Sequence, residues 1–408
     1  MSVVTGFLRD YRGLGRSVWF LAVAETLVWA GMFYLFAALL LHWEADLGWS
    51  RTDLVLALTT ALIVSGMSAP LAGVLIDRGH GRLLLSGSAL GGGILVGLLT
   101  VVQAQWQFVG LWFLMGFCMA GCFYEPCFAY LTRTRGAEAR RAITLVTLLA
   151  GFAGTVAFPV ANILAEAFGW RVSALTFCGL ICLVAAPLLW FGCDRPVQPT
   201  PPRASAGGRD AGGMAAVLKQ PAFWLLAIAF TAIWLNHASL IHHLLPLLRE
   251  RHIPPETAVL AASCVGPMQV AGRIVMMMVE RYVSINAISA FTYLAIMLSS
   301  LSLFAAGTFP WLLIGFIVFQ GAGIGVTSIT KPVVTAEMLG RGNFGAVSGA
   351  LALPSTLGSA LAPTLAALIW LAGGYDYVLA ATFGFALVGL MAFVWAVRVS
   401  RRARPAVA

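Results

Sequence analysis

The stretch DRPVQPTPPRASAGGRDAGG, Asp194 to Gly213, is rich in Pro, Gly and Arg and poor in large apolar side chains. It interrupts a chain that is otherwise greasy: of 408 residues, 60% are hydrophobic and only 10% charged, against roughly a quarter charged in an ordinary soluble domain. On both sides of it, polar breaks divide the sequence into runs near the roughly 20 apolar residues that a helix needs to cross hydrocarbon. Six precede it, at 17–42, 53–76, 83–102, 106–132, 142–165 and 172–193, and six follow, at 222–248, 257–279, 284–306, 311–336, 344–371 and 377–399. The reading is an all-α integral membrane protein with twelve transmembrane helices in two six-helix bundles, 1–193 and 220–408, joined by a linker over 194–219.

The basic residues fit this layout. Of the 25 Lys and Arg, nineteen fall on the side that holds both termini and alternate loops, among them Arg78, Arg82, Arg133, Arg195 and Arg398. Only Arg51, Arg171, Arg249 and Arg251 lie opposite. By the positive-inside rule both termini are expected in the cytoplasm of a bacterial inner membrane. The net charge of +9 is thereby explained without a nucleic-acid partner. The run 17–42 is longer than a signal-peptide core and is followed by no small-residue cleavage site, so it reads as the first helix. Ser50, three residues before Asp53, is placed to cap the second.

The seven cysteines all lie in or beside apolar runs with no CxxC pair; they read as small buried hydrophobes, and no metal site is expected. There is no GxxxxGK[ST] phosphate loop and no cofactor motif, which excludes ATP hydrolysis and redox chemistry as the source of power. An enzyme is not expected. A shift of about 204 residues superposes Gly121, Gly136, Gly154, Pro159 and Gly169 on Gly325, Gly340, Gly358, Pro363 and Gly373, a pattern of duplicated halves.

After the second helix the chain reads GVLIDRGHGR, with Gly73, Asp77, Arg78, Gly79, Gly81 and Arg82. This resembles the signature loop of the major facilitator superfamily, and Glu280-Arg281 is a degraded echo in the second half. The resemblance implies two pseudo-symmetric bundles that alternate access to a central site. It also implies that Gly73, Asp77, Arg78 and Arg82 gate the change by packing the second helix on the eleventh. A departure is Phe117, where the family's fourth helix usually carries an arginine. A second resemblance, to the monocarboxylate and oxalate–formate branch, rests on LGWSR after the first helix and on Arg273 in the eighth.

Two acids, Glu25 and Glu125, and two bases, Arg273 and Lys331, lie deep in apolar runs. Each costs about 3 kcal/mol at the bilayer centre unless it meets water, a ligand or a partner. Helical spacing puts Gln320, Thr327 and Lys331 on one face of the tenth helix, Asn236 with His243 on one face of the seventh, and Gln269 with Arg273 on the eighth. Pro126, next to Glu125, is placed to kink the fourth helix.

Two readings stay open for these charges: a salt bridge that locks the halves, or a transport site. In the second, Arg273, Lys331, Gln269, Asn236, Gln320, Thr327 and Trp29 bind a small anionic substrate. Glu125, Glu25 and His237 then carry the coupling proton. The expected function is a monomeric secondary transporter in the lipid bilayer, moving a monocarboxylate-like anion with protons and needing no cofactor. A multidrug or metabolite efflux pump, with Trp29, Phe33, Phe36 and Trp234 widening an aromatic cavity, and a non-transporting membrane receptor are the alternatives.

Overall fold

The computed structural model describes residues 14–195, 213–341 and 343–402; most of the 194–219 linker lies outside them. The described residues are helical almost throughout. The first bundle comprises α1 (Arg16–Leu47), α2 (Arg51–Asp77), α3 (Gly81–Val101), α4 (Gln105–Arg135), α5 (Ala139–Phe168) and α6 (Trp170–Gly192). The second comprises α7 (Pro221–Glu250), α8 (Pro255–Val279), α9 (Ile285–Ala305) and α10 (Pro310–Leu339), followed by the continuous stretch Phe344–Arg402. That stretch is two helices, α11 over 344–372 and α12 over 375–402, broken where Gly374 turns to φ 72°. Only a residue without Cβ enters that region at little cost. Among the described residues this gives twelve helices long and apolar enough to cross a membrane.

Local chemistry explains the ends. Ser50 Oγ accepts from Asp53 N at 3.2 Å at the start of α2, the expected cap. Gly136 (φ 54°) and Gly340 (φ 91°) end α4 and α10, two of the positions that the repeat superposes. A second pair, Gly154 and Gly358, admits Tyr34 of α1 and Thr231 of α7 respectively. At these two of the five superposed pairs the repeat corresponds to equivalent turns and helix crossings.

Two compact units emerge, one of Met1–Gly207 with Arg341–Ala352, the other of Gly208–Gly340 with Leu353–Ala408. The first residues of α11 therefore pack with the first unit. That unit is built at one end on Phe36, Trp43, Phe108 and Trp112, all at most 2% exposed. Their rings meet edge to face at centroid distances of 4.9 to 5.5 Å, the geometry that aromatic quadrupoles favour. Close by, Trp170 Nε1 and the Arg171 guanidinium both donate to Asp46 at 2.8 Å. At the other end the buried Arg135 donates to Ser17 Oγ (2.5 Å) and Asp194 (3.1 Å), tying α1, α4 and the residues after α6.

The second unit has an aliphatic core instead, with Leu240, Leu244, Leu247, Val265, Leu303, Phe316 and Val378 buried together. Outward positions on both units carry large apolar side chains, Leu71, Leu183 and Leu371 among them, as lipid-facing surfaces require. Of the cysteines, Cys122, Cys127 and Cys193 are buried and the others half-buried, all seven as free thiols.

Candidate functional site

In the first unit the helices that carry the acids are both irregular. α1 widens to a π turn over Ala30–Tyr34, immediately beyond Glu25 and Trp29. Gly31 in that turn meets Ile181, which opens a second π turn, Ile181–Ala185, in α6. Such single-turn widenings recur at functional sites.

In α4, Pro126 has no N–H to give the carbonyl of Cys122 and the helix opens at Phe123 (φ −83°, ψ −167°) before restarting at Tyr124. The kink expected from Pro126 is thus a full break, and it leaves Glu125 in the first turn of a new helical segment. There the helix dipole favours an acid.

Trp29 fills the opening, stacking on Phe123 at 4.3 Å and tilting on Tyr124 at 4.7 Å, while Tyr124 stacks on Phe128 at 4.9 Å. Glu25 lies one turn before Trp29 with 0% exposure, and neither carboxyl oxygen has a partner in hydrogen-bond geometry. The Cys127 thiol and the Trp29 indole N–H are the donors facing it, and Glu125 is a second carboxyl within electrostatic reach. The structure therefore brings together Glu25, Trp29 and Glu125. It adds Cys127, which sequence reading passed over; its place one residue after Pro126 was the available signal.

The GVLIDRGHGR segment ends α2 against the start of α11. A side chain at Gly73 would strike the Gly345 carbonyl. Asp77 accepts from Gly345 N (3.1 Å) and Ala346 N (2.9 Å), N–H groups in the first turn of α11. Arg133 Nε stands 3.5 Å from Asp77 and Arg133 also donates to the Arg341 carbonyl at 2.9 Å. Arg82 lies over the Trp190 ring of α6 at 4.0 Å, and Arg78 is the residue that closes α2. Sequence reading treated Arg133 only as the charged end of its helix; its role against Asp77 needed the fold.

In the second unit α8 and α10 approach backbone to backbone. Gly321 and Gly325 on α10 face Val265, Met268 and Gln269, and Gly272 on α8 faces Ala322. Stripes of small residues allow such crossings. At this contact Arg273, 5% exposed, donates from Nε to the Gly325 carbonyl at 3.2 Å. Gln269 and Arg273 thus lie together on α8 as their spacing requires. Lys331 sits 6.0 Å from the Phe230 ring centroid of α7, and Thr327 turns its hydroxyl to Gly323 O.

A separate group gathers Asn236, His237 and Gln320 with Ser299 and Ser300 of α9. The two serines were also missed. A polar pair inside the 21-residue apolar helix α9 was their signal. His243, by contrast, is taken up by Pro363 O (3.0 Å) and Tyr375 Oη (3.3 Å).

Helices of membrane-crossing length in two related bundles, with ionisable groups held inside them, define a polytopic membrane protein. A profile of the Major Facilitator Superfamily matches residues 21–309, and the chain belongs to that superfamily of transporters. No curated protein matches it by sequence.

The fold is similar to that of the proton:xylose symporter XylE bound to 6-bromo-6-deoxy-D-glucose, with TM-score 0.74 and 12% identity over 94% of this chain and 95% of that one. It is similar also to the human organic anion transporter MFSD10 (TETRAN), with TM-score 0.71 and 15% identity over 93% and 98%. A third is a bacterial homologue of the iron transporter ferroportin, with TM-score 0.71 and 14% identity over 93% and 99%.

Proposed function

We propose that this transporter moves a small, monocarboxylate-like organic anion together with protons, by alternating access, in a bacterial inner membrane with both termini cytoplasmic. Glu25 carries the coupling. A carboxyl with no exposure and no partner at either oxygen is not held as a charge by its surroundings. It loses its proton only when a conformational change brings water or a cation to it. Glu125, in the first turn after the break in α4, is the second member of the proton path.

For the cargo, Arg273 and Lys331 place positive charge inside α8 and α10, with Gln269 and Thr327 as further contacts. The contact of Asp77 with the first N–H groups of α11 serves as the gate, with Gly73 making the approach possible and Arg78 and Arg82 flanking it. That one fold relative is a human organic anion transporter is in keeping with the cargo class. The protein acts as a monomer in the bilayer and needs no nucleic acid or cofactor.

The test is uptake into proteoliposomes. Accumulation of a labelled monocarboxylate under an inward proton gradient, lost in Arg273→Ala and made independent of the gradient in Glu25→Gln, is expected. Absence of both accumulation and counterflow across a panel of small carboxylates would refute it. One observation favours an efflux reading: two acids beside the Trp29, Phe123 and Tyr124 stack suit an organic cation, and transport of lipophilic cations alone would establish that instead.

A further inference from the structure

In the second unit Asn236, His237, Ser299, Ser300, Gln320 and the carbonyl of Thr382 form one connected set of hydrogen bonds drawn from α7, α9, α10 and α12. Its donor directions follow from one end. Thr382 O is a backbone carbonyl and only accepts, so the Asn236 atom 2.9 Å from it is the amide nitrogen, which also donates to Ser300 Oγ at 3.0 Å. Asn236 Oδ1 is then the atom turned to Gln320, 3.3 Å away, and it takes a proton from the Gln320 amide nitrogen. Gln320 Oε1 accepts from the Ser299 hydroxyl at 2.5 Å. The second N–H of the Gln320 amide is directed at Nδ1 of His237, at 3.2 Å. Nδ1 must accept.

Each reversal is blocked by the next residue. Turning the Gln320 amide over would set its oxygen against Asn236 Oδ1, and turning Asn236 to relieve that would set Oδ1 against the Thr382 carbonyl. Asn236 and Gln320 are 0% exposed, so no water screens these oxygen pairs, and a buried amide network is held most strongly when every member is satisfied.

We propose that Asn236 and Gln320 are positioning residues that hold His237 in the tautomer with its proton on Nε2. α7 thereby offers a neutral N–H donor, neither an acceptor nor an imidazolium. His237 is half-buried, and its Nε2 is engaged by no other described residue. The rings of Trp234 and His237 meet edge to face with centroids 5.8 Å apart, and His242 on the same helix is the titratable group that acts on it. The ligand atom that such a group serves is an acceptor oxygen, of a carboxylate or a carbonyl. This goes beyond the proton-coupled anion reading, and it gives His237 a fixed donor role in place of proton carriage.

The measurement is nitrogen NMR on the purified, full-length protein carrying ¹⁵N-histidine, with the His237 signals assigned by their loss in His237→Gln. At neutral pH the wild type should show a proton on Nε2 and none on Nδ1. Gln320→Met should release the preference and give a mixture of tautomers. Asn236→Leu, which does not touch the ring, should do the same by freeing the Gln320 amide to turn. A proton on Nδ1 in the wild type overturns the proposal outright. So does an unchanged Nε2-protonated signal in both variants, because the tautomer would then be set by something other than this network. A proton on Nδ1 in the wild type refutes the proposal even if neither variant folds, and the spectrum is independent of any transport assay.

Discussion

Asp77→Ala tests the contact between α2 and α11 most directly. The Asp77 side chain is 11% exposed and accepts two backbone N–H groups, Gly345 at 3.1 Å and Ala346 at 2.9 Å. A hydrogen bond to a charged group contributes about 1.5 to 3 kcal/mol, so losing both costs about 3 kcal/mol at the low end. The Arg133 ion pair at 3.5 Å adds at most about 1 kcal/mol at such a distance. The amides of Gly345 and Ala346 belong to the first turn of α11 and have no intrahelical acceptor of their own. Their protection therefore depends on Asp77.

At about 1.4 kcal/mol per factor of ten, deuterium exchange at these two amides should accelerate by on the order of 100-fold. Mass spectrometry of the peptide covering 344–352 reads it, with the α9 peptide as an unaffected control. Unchanged exchange at 345 and 346 would refute the argument, because it would mean that the start of α11 is held by something other than this carboxylate.

Other expectations follow the same logic. Glu25→Gln keeps the shape of a carboxyl that has no partner, so its melting temperature should match the wild type while uptake loses its dependence on external pH. Gly325→Val drives a Cβ into the backbone carbonyl of Gln269 and should cost about 3 kcal/mol of stability or more through overpacking, seen as a lower thermal midpoint in detergent. Asp194→Ala removes one partner of Arg135, whose side chain is 2% exposed; an uncompensated buried charge costs about 3 kcal/mol, and Arg135→Met in the same background should recover most of it. A melt that Asp194→Ala leaves unchanged would show that Ser17 alone suffices for Arg135.

Much of the fold was legible because its causes are local. Runs of about 20 apolar residues can only be satisfied as helices in lipid, where each backbone N–H and C=O must be paired within the segment. Ser50 and Asp53 capped α2 as read, since a cap involves four consecutive residues. Gly136 and Gly340, read only as equivalent positions of a repeat, prove to end α4 and α10, because a positive φ is a property of one residue. The boundary between α11 and α12 was expected from the apolar pattern, and Gly374 makes it.

The candidate site was legible only in part. Helical periodicity placed Gln269 with Arg273 and found Glu25, Glu125 and Lys331, because an ionisable side chain in an apolar run stands out whatever surrounds it. Periodicity is blind to what another helix supplies. That Asn236 faces the carbonyl of Thr382 on α12, that Gln320 turns its amide to His237, and that Cys127 comes to Glu25 all depend on residues far apart in the chain. The sequence by itself determined which segments cross the membrane and which of them carry charge, since both follow from solvation of single segments. Only the tertiary structure decided which donor meets which acceptor, because hydrogen bonds are directional and short, and their partners become neighbours only when helices pack.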